Sequence, residues 1–170
     1  GLVGYGSLGQ AVAKLAKAFD MNILISERPG SRAIRAGRVS FEEVITQSDV
    51  ISLHCPQTAD TTNLINAVTL AKMKPTAMLI NTARGALVNS VDLLAALTSK
   101  QIAFAVLDVL EQEPPPLDHP LLCALQANKL ANLKITAHIA WASSEAQQRL
   151  INLLSENIAA FKRGEPLNRL

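Results

Sequence analysis

The opening run Gly1-Leu-Val-Gly4-Tyr-Gly6-Ser-Leu-Gly9 constrains this chain more than any other segment, because it sets a GxGxxG between an apolar strand stub and the start of a helical pattern. In that setting each glycine has a task. Gly4 permits a tight turn, Gly6 lets backbone approach a phosphate, and Gly9 lets the helix beginning near Ser7 pack against the strand. Exposed helix N-terminal amides and the helix dipole then face the anion. The expected guest is a dinucleotide pyrophosphate.

A helical pattern follows from Leu8 to Phe19, and the spacing of Leu8, Val12, Leu15, Ala16 and Phe19 predicts that these residues form its buried face. Asn22 to Ser26 reads as a short strand ending in Glu27. A carboxylate at a second strand tip, at this distance beyond the glycines, suits the adenosine ribose hydroxyls and points to NAD. It would repel a 2′-phosphate, whereas the adjacent Arg28 would attract one, so NADP stays open as the second reading. Without the glycine loop, Glu27-Arg28-Pro29-Gly30 would read as a solvated turn.

Length and composition narrow the class. The 170 residues suffice for one full-sized domain with a real core. Net charge is +2 and the basic residues are scattered, so nothing points to nucleic acid or an anionic membrane. Cys55 and Cys123 form no CxxC, which fits neither a disulfide framework nor a metal site and suits a reducing, cytoplasmic compartment. No apolar run approaches the ~20 residues of a membrane helix. The chain begins without Met, inside what should be a central strand, so its native N-terminus and any targeting signal lie outside this reading.

Near-continuous apolar runs at Leu2-Val3, Ile23 to Ile25, Val50 to Leu53, Ala77 to Ile80, Ala103 to Leu107 and Leu133 to Thr136 alternate with helical patterns. Strands of this kind are buried on both faces of a parallel sheet. Ser40 with Glu43 predicts a cap for a helix over Phe41 to Gln47, and Ser144 with Gln147 a cap for the last helix, which stops at Arg163-Gly164 before Pro166. Glu111 to Asn132, with its prolines, reads as one long irregular segment. The predicted fold is α/β, a doubly wound parallel sheet of Rossmann type in a single domain with a short first strand. Its site lies at the C-terminal strand tips.

Reading those tips in order gives His54-Cys55-Pro56, Asn81-Thr82-Ala83-Arg84-Gly85, Asp108 and His138-Ile139-Ala140-Trp141. Arg84, Glu113 and His138 are the candidates for chemistry. Each alone has an ordinary explanation as a hydrogen-bonded His, a solvated Arg or a loop Glu. At successive tips of one dinucleotide fold they supply an anion fork, an acid/base and a carboxylate to orient it.

Five ordered segments, Gly4 to Gly9, His54-Cys-Pro56, Asn81 to Gly85, Leu107-Asp-Val-Leu-Glu-Gln-Glu-Pro114 and His138-Ile-Ala-Trp-Ala142, resemble the signatures of D-isomer-specific 2-hydroxyacid dehydrogenases. Glu27 to Gly30 and His138 to Ser143 look most like the glycerate dehydrogenase, or hydroxypyruvate reductase, branch. The resemblance implies interconversion of a small 2-hydroxy acid and its 2-oxo acid with NAD as cofactor. It makes His138 the acid/base, Glu113 its paired carboxylate and Arg84 the grip on the substrate carboxylate. It also places Ser7, Leu8, Cys55, Pro56, Thr61, Thr82, Ala83, Asp108 and Ala140 with the glycines and Glu27 along the cofactor, and Trp141 beside the substrate.

By the same resemblance, residues 1–170 are the NAD-binding domain, pairing as a homodimer. Residues 143–170 are its last helix and the start of a return to a substrate domain that is not in this chain. Ala137 stands where the family has Pro before the His. A non-catalytic NAD(H)-sensing protein of the same fold is the alternative.

Overall fold

The computed structural model describes residues 1–168 and contains a parallel sheet of five strands in the order β1-β2-β3-β4-β5. These are β1 (Leu2–Val3), β2 (Val50–Leu53), β3 (Met78–Asn81), β4 (Phe104–Leu107) and β5 (Leu133–Ile135). The register runs Leu2 beside Ser52, Ser52 beside Ile80, Ile80 beside Val106, and Val106 beside Lys134. The expected strand before Glu27 is reduced to single bridges. Ile25 lies beside Leu2 on the free edge of β1, and Ser26 lies beside Val39 beyond it.

From β1 the chain therefore runs outward in one direction to Ile25 and Val39, then returns to the other side of β1 as β2. That reversal is the topological switch point at which open α/β sheets bind ligands. The Rossmann-type reading of the sequence holds.

Helices α1 (Ser7–Ala18), α2 (Phe41–Gln47), α3 (Ala67–Leu70), α4 (Ser90–Thr98), α5 (Pro120–Gln126) and α6 (Ser144–Lys162) connect or follow the strands. Ser40 caps α2 by accepting from the Glu43 amide at 3.0 Å. Three expectations are corrected. Ser143, not Ser144, caps α6, accepting from the Ala146 amide at 3.2 Å. The segment 111–132 is not wholly irregular. Pro120, its φ already suited to a first helical turn, starts α5, which buries Leu121 and Ala124.

The third correction concerns α1. Its buried residues are Gly9 and Ala13, while Leu8, Leu15 and Phe19 are exposed. Small residues win because the helix sits very close to the glycine loop, where a Cβ on Gly9 would overlap the carbonyl oxygen of Gly4. Apolar spacing marked a stripe, but closeness of approach selected the neighbouring one.

The chain divides into two compact units, Gly1–Ala137 and His138–Leu170. In the first, Ile51, Leu53, Leu79, Leu93 and Ile102 are fully buried between sheet and helices. The second contains α6 and the segment before it; the helix is capped by Arg163, followed by Gly164 at φ +70°. Among the described residues no helix is long and apolar enough to cross a membrane, and Cys55 and Cys123 are free thiols.

Candidate active site

A cleft of about 530 Å³ opens at the switch point, lined by the glycine loop, Ser26 to Pro29, Arg35, Arg38 and the loop from Cys55 to Thr61. Gly4 has φ +102°, and a Cβ there would stand 2.5 Å from the Cys55 amide nitrogen. Its place is set both by the left-handed turn and by the approach of β2. Gly6 differs: a Cβ added to it meets nothing within 4 Å. Gly6 is also the N-cap of α1, supplying no side-chain cap, and the first turn of α1 carries no acidic residue. The amides from Ser7 onward thus end the helix beside an open face, which fits a pyrophosphate.

The second wall is the loop after β2. His54 Nε2 meets Ser52 Oγ at 2.9 Å, and burial holds the imidazole below its usual pKa. Burial pushes the Cys55 thiol up, so it lines the cleft as a neutral, largely apolar group. Thr61 Oγ1 donates to the Pro56 carbonyl at 2.8 Å and accepts from the Thr58 amide at 2.7 Å, closing this loop on itself.

At the far end of the cleft lies Glu27, buried, its carboxylate gripped by the Arg35 guanidinium at 2.7 and 2.5 Å. That bond, then the Arg28 amide at 2.9 Å, holds the carboxyl far below the usual carboxylate range. Sequence reading placed Glu27 but missed Arg35 and Arg38, which a loop brings back to it. The clustering of basic residues over positions 28–38 was the available signal.

The tips of β3 and β4 form a second constellation. Asn81 is fully buried, and it folds the turn that presents Arg84: its Oδ1 accepts from the Ala83 amide at 3.0 Å and its Nδ2 donates to the Arg84 carbonyl at 2.9 Å. Thr82 and Arg84 are exposed, with Ala83 half-buried between them. Gly85 packs so tightly on the backbone of Leu110 and Glu111 that no Cβ fits there.

The two turns therefore abut. Glu111 ties them further, accepting from the Ser90 amide at 3.0 Å and meeting His119 Nε2 at 3.1 Å. Glu113 Oε1 accepts from the Leu110 amide at 3.0 Å. Asp108 is buried and accepts from Thr136 Oγ1 at 2.5 Å. Sequence reading placed Asn81 at a strand tip without a role and gave Thr136 none, although a polar residue ending an apolar strand is a readable sign of a turn anchor.

His138 and Ala140 belong to the second compact unit. His138 adopts φ +54°, and its carbonyl accepts from the Trp141 indole at 3.0 Å.

Glycine loop, helix N-terminus, switch-point cleft and polar strand tips together define a Rossmann-type domain of the dinucleotide-binding class. Comparison with known proteins makes the family explicit: residues 1–140 match the family described as D-isomer specific 2-hydroxyacid dehydrogenase, NAD binding domain, and the chain belongs to it. A glycerate dehydrogenase of Methylorubrum extorquens is 47% identical over 168 residues, 99% of this chain and 51% of that protein.

Among solved structures, the NAD-complexed D-isomer specific 2-hydroxyacid dehydrogenase of Lactobacillus delbrueckii ssp. bulgaricus superposes with a TM-score of 0.83 at 26% identity, covering 98% of this chain and 53% of that one. An acyclic imino acid reductase in complex with NADPH and D-Arg superposes with a TM-score of 0.86 at 35% identity, covering 99% and 52%. The chain spans about half the length of the curated relatives it matches.

Proposed function

We propose that this chain is the cofactor domain of a D-2-hydroxyacid dehydrogenase acting on glycerate and hydroxypyruvate, or on glyoxylate. The observation that carries the reading is the cleft at the switch point, with Gly4, Gly6 and the uncapped start of α1 on one side and Asn81-anchored Arg84 on the neighbouring tips. Relatives named glycerate dehydrogenase, hydroxypyruvate reductase and glyoxylate reductase support the substrate class. In this reading residues 1–170 are one NAD-binding domain, with 143–170 beginning a return to a substrate domain.

Ser7, Leu8 and Gly9 offer backbone amides to the pyrophosphate, Glu27 stands at the adenosine end, and Cys55, Pro56, Thr61, Thr82, Ala83, Asp108 and Ala140 line the remainder. NADH, when bound, supplies hydride. Arg84 grips the substrate carboxylate with a planar fork, which a Lys cannot reproduce. His138 protonates the developing alkoxide, and Glu113 is the carboxylate paired with it. Trp141 borders the substrate. The free thiols suit the cytoplasm, and the exposed apolar residues of α6, Leu150, Leu154 and Phe161, support a homodimer through this domain.

The test is NADH titration of this chain, followed by hydroxypyruvate and glyoxylate reduction by the full-length enzyme, with His138→Ala as the diagnostic variant. Loss of a general acid lowers kcat by ~10²–10⁴-fold. An unchanged hydride-transfer rate in that variant sinks the mechanism, and absence of NADH binding sinks the reading of the cleft.

A further inference from the structure

One residue holds both ends of the segment that follows Arg84. At its start, the backbone of Gly85 lies against Leu110 and the Glu111 amide nitrogen, too close for any Cβ. At its end, the Glu111 carboxylate reaches across, and its Oε1 accepts from the Ser90 amide at 3.0 Å. Ser90 is the first residue of α4. The Asn89 side chain that caps this helix serves the Val91 and Asp92 amides, so the Ser90 amide is left to Glu111. A negative charge at the start of a helix is also favoured by its dipole.

Glu111 is itself held. Its Oε2 meets Nε2 of His119, whose side chain is 6% exposed, at 3.1 Å. An ionised carboxylate only accepts, so Nε2 carries the hydrogen of this bond. His119 Nδ1 has no hydrogen-bond partner among the described residues, which leaves Glu111 as the polar contact of a buried ring. Burial opposes ionisation of Glu111, but hydrogen bonds from Ser90 and His119 outweigh it and hold the carboxyl below its usual pKa.

Arg84 takes its aim from this turn. Its Nη1 donates to the neighbouring Ala83 carbonyl at 2.7 Å, and its own carbonyl accepts from Asn81 Nδ2 at 2.9 Å. With the guanidinium leaning on the backbone of its own turn, whatever fixes that backbone fixes the fork. Asn81 does so on one side and Glu111 on the other.

We infer that Glu111, clamped by His119, is a positioning residue for Arg84, holding segment 85–90 so that the guanidinium presents its fork to a substrate carboxylate. The inference rests on the role proposed for Arg84 in a 2-hydroxyacid dehydrogenase. A fork makes two parallel bonds to a carboxylate only when it is correctly oriented, and a misplacement of about 1 Å costs up to ~10²-fold. Glu113 is anchored on the Leu110 amide and not on the Glu111 carboxylate, so the proton-transfer step keeps its partner. The consequence falls on KM.

The experiment is steady-state reduction of hydroxypyruvate by the full-length enzyme, with active sites counted by NADH titration. Glu111→Ala should raise KM for hydroxypyruvate about tenfold or more, with kcat and NADH affinity within about threefold of the unaltered enzyme. Because alanine leaves His119 buried without its partner, Glu111→Gln runs beside it. Gln keeps an acceptor for Ser90 and gives up the charge-assisted bond to His119, so its KM should fall between the other two. In an Arg84→Ala background, where KM is already raised, Glu111→Ala should add less than about twofold, since the two side chains act as one unit.

A lower kcat at unchanged KM in the Glu111 variants marks a general loss of structure and overturns the inference. So does a rise in KM that persists undiminished in the Arg84→Ala background. Either result leaves the dehydrogenase reading standing as long as Arg84→Ala alone raises KM. If Arg84→Ala leaves KM unchanged, the role proposed for Arg84 falls, and the inference falls with it.

Discussion

The two compact units treat their apolar residues in opposite ways. In Gly1–Ala137, Leu79, Leu93 and Ile102 are fully excluded from water, and the cleft rests on that packed sheet. In His138–Leu170, Ala160 is the buried apolar residue of α6 among the described residues, while Leu150, Ile151, Leu154 and Phe161 are more than half exposed. The switch-point cleft is therefore built from one well-packed body. The residue proposed as acid/base, His138, belongs to the second unit. The groups proposed to bind rest on a packed core, whereas the group proposed to move a proton belongs to the other unit.

Four substitutions or titrations would break or sharpen this contrast. The largest effect is expected at Gly85, where any Cβ overlaps the backbone of Leu110 and Glu111. Gly85→Ala should cost more than about 4 kcal/mol, because backbone at a packed turn cannot step aside. Loss of the cooperative thermal transition would show it, and a stability near the unaltered chain would mean the two turns are looser than their contact implies. Leu79→Ala, at the centre of the sheet and fully buried, should cost about 2–5 kcal/mol in urea unfolding through lost transfer energy and the cavity left behind.

An intermediate effect depends on pH. Arg35 and two backbone amides hold the Glu27 carboxyl below its unfolded value, which is about 4.3. The ion pair thus adds stability that is fully present above that pH and declines progressively as pH falls below it toward the much lower folded value. Between about pH 5 and pH 3 the urea midpoint of the unaltered chain should fall more steeply than that of Glu27→Gln. Parallel slopes would detach Glu27 from the acid sensitivity of the first unit.

The smallest effect is expected on α6. Leu150→Gln replaces a side chain that is 57% exposed, and should change stability by no more than about 0.5 kcal/mol. A cost approaching that of Leu79→Ala would show that this face is covered in solution and would dissolve the contrast between the units.

What the amino-acid order determined by itself was local and periodic. The apolar runs at 50–53, 103–107 and 133–136 became strands over 50–53, 104–107 and 133–135, Ser40 capped α2, Gly164 took the left-handed conformation ending α6, and the glycine loop stood at the switch point. Such features depend on residues a few positions apart, so spacing reveals them.

Tertiary structure alone decided which stripe of α1 is buried, since the approach of Gly9 to Gly4 favours small residues over the larger Leu8, Leu15 and Phe19. It also decided that Arg35 grips Glu27 and that Asn81 folds the Arg84 turn while Gly85 seats that turn against Leu110. The Arg35 grip and the packing on Leu110 join groups separated along the chain, and their strength comes from burial and close approach, which a linear pattern of residue types does not encode.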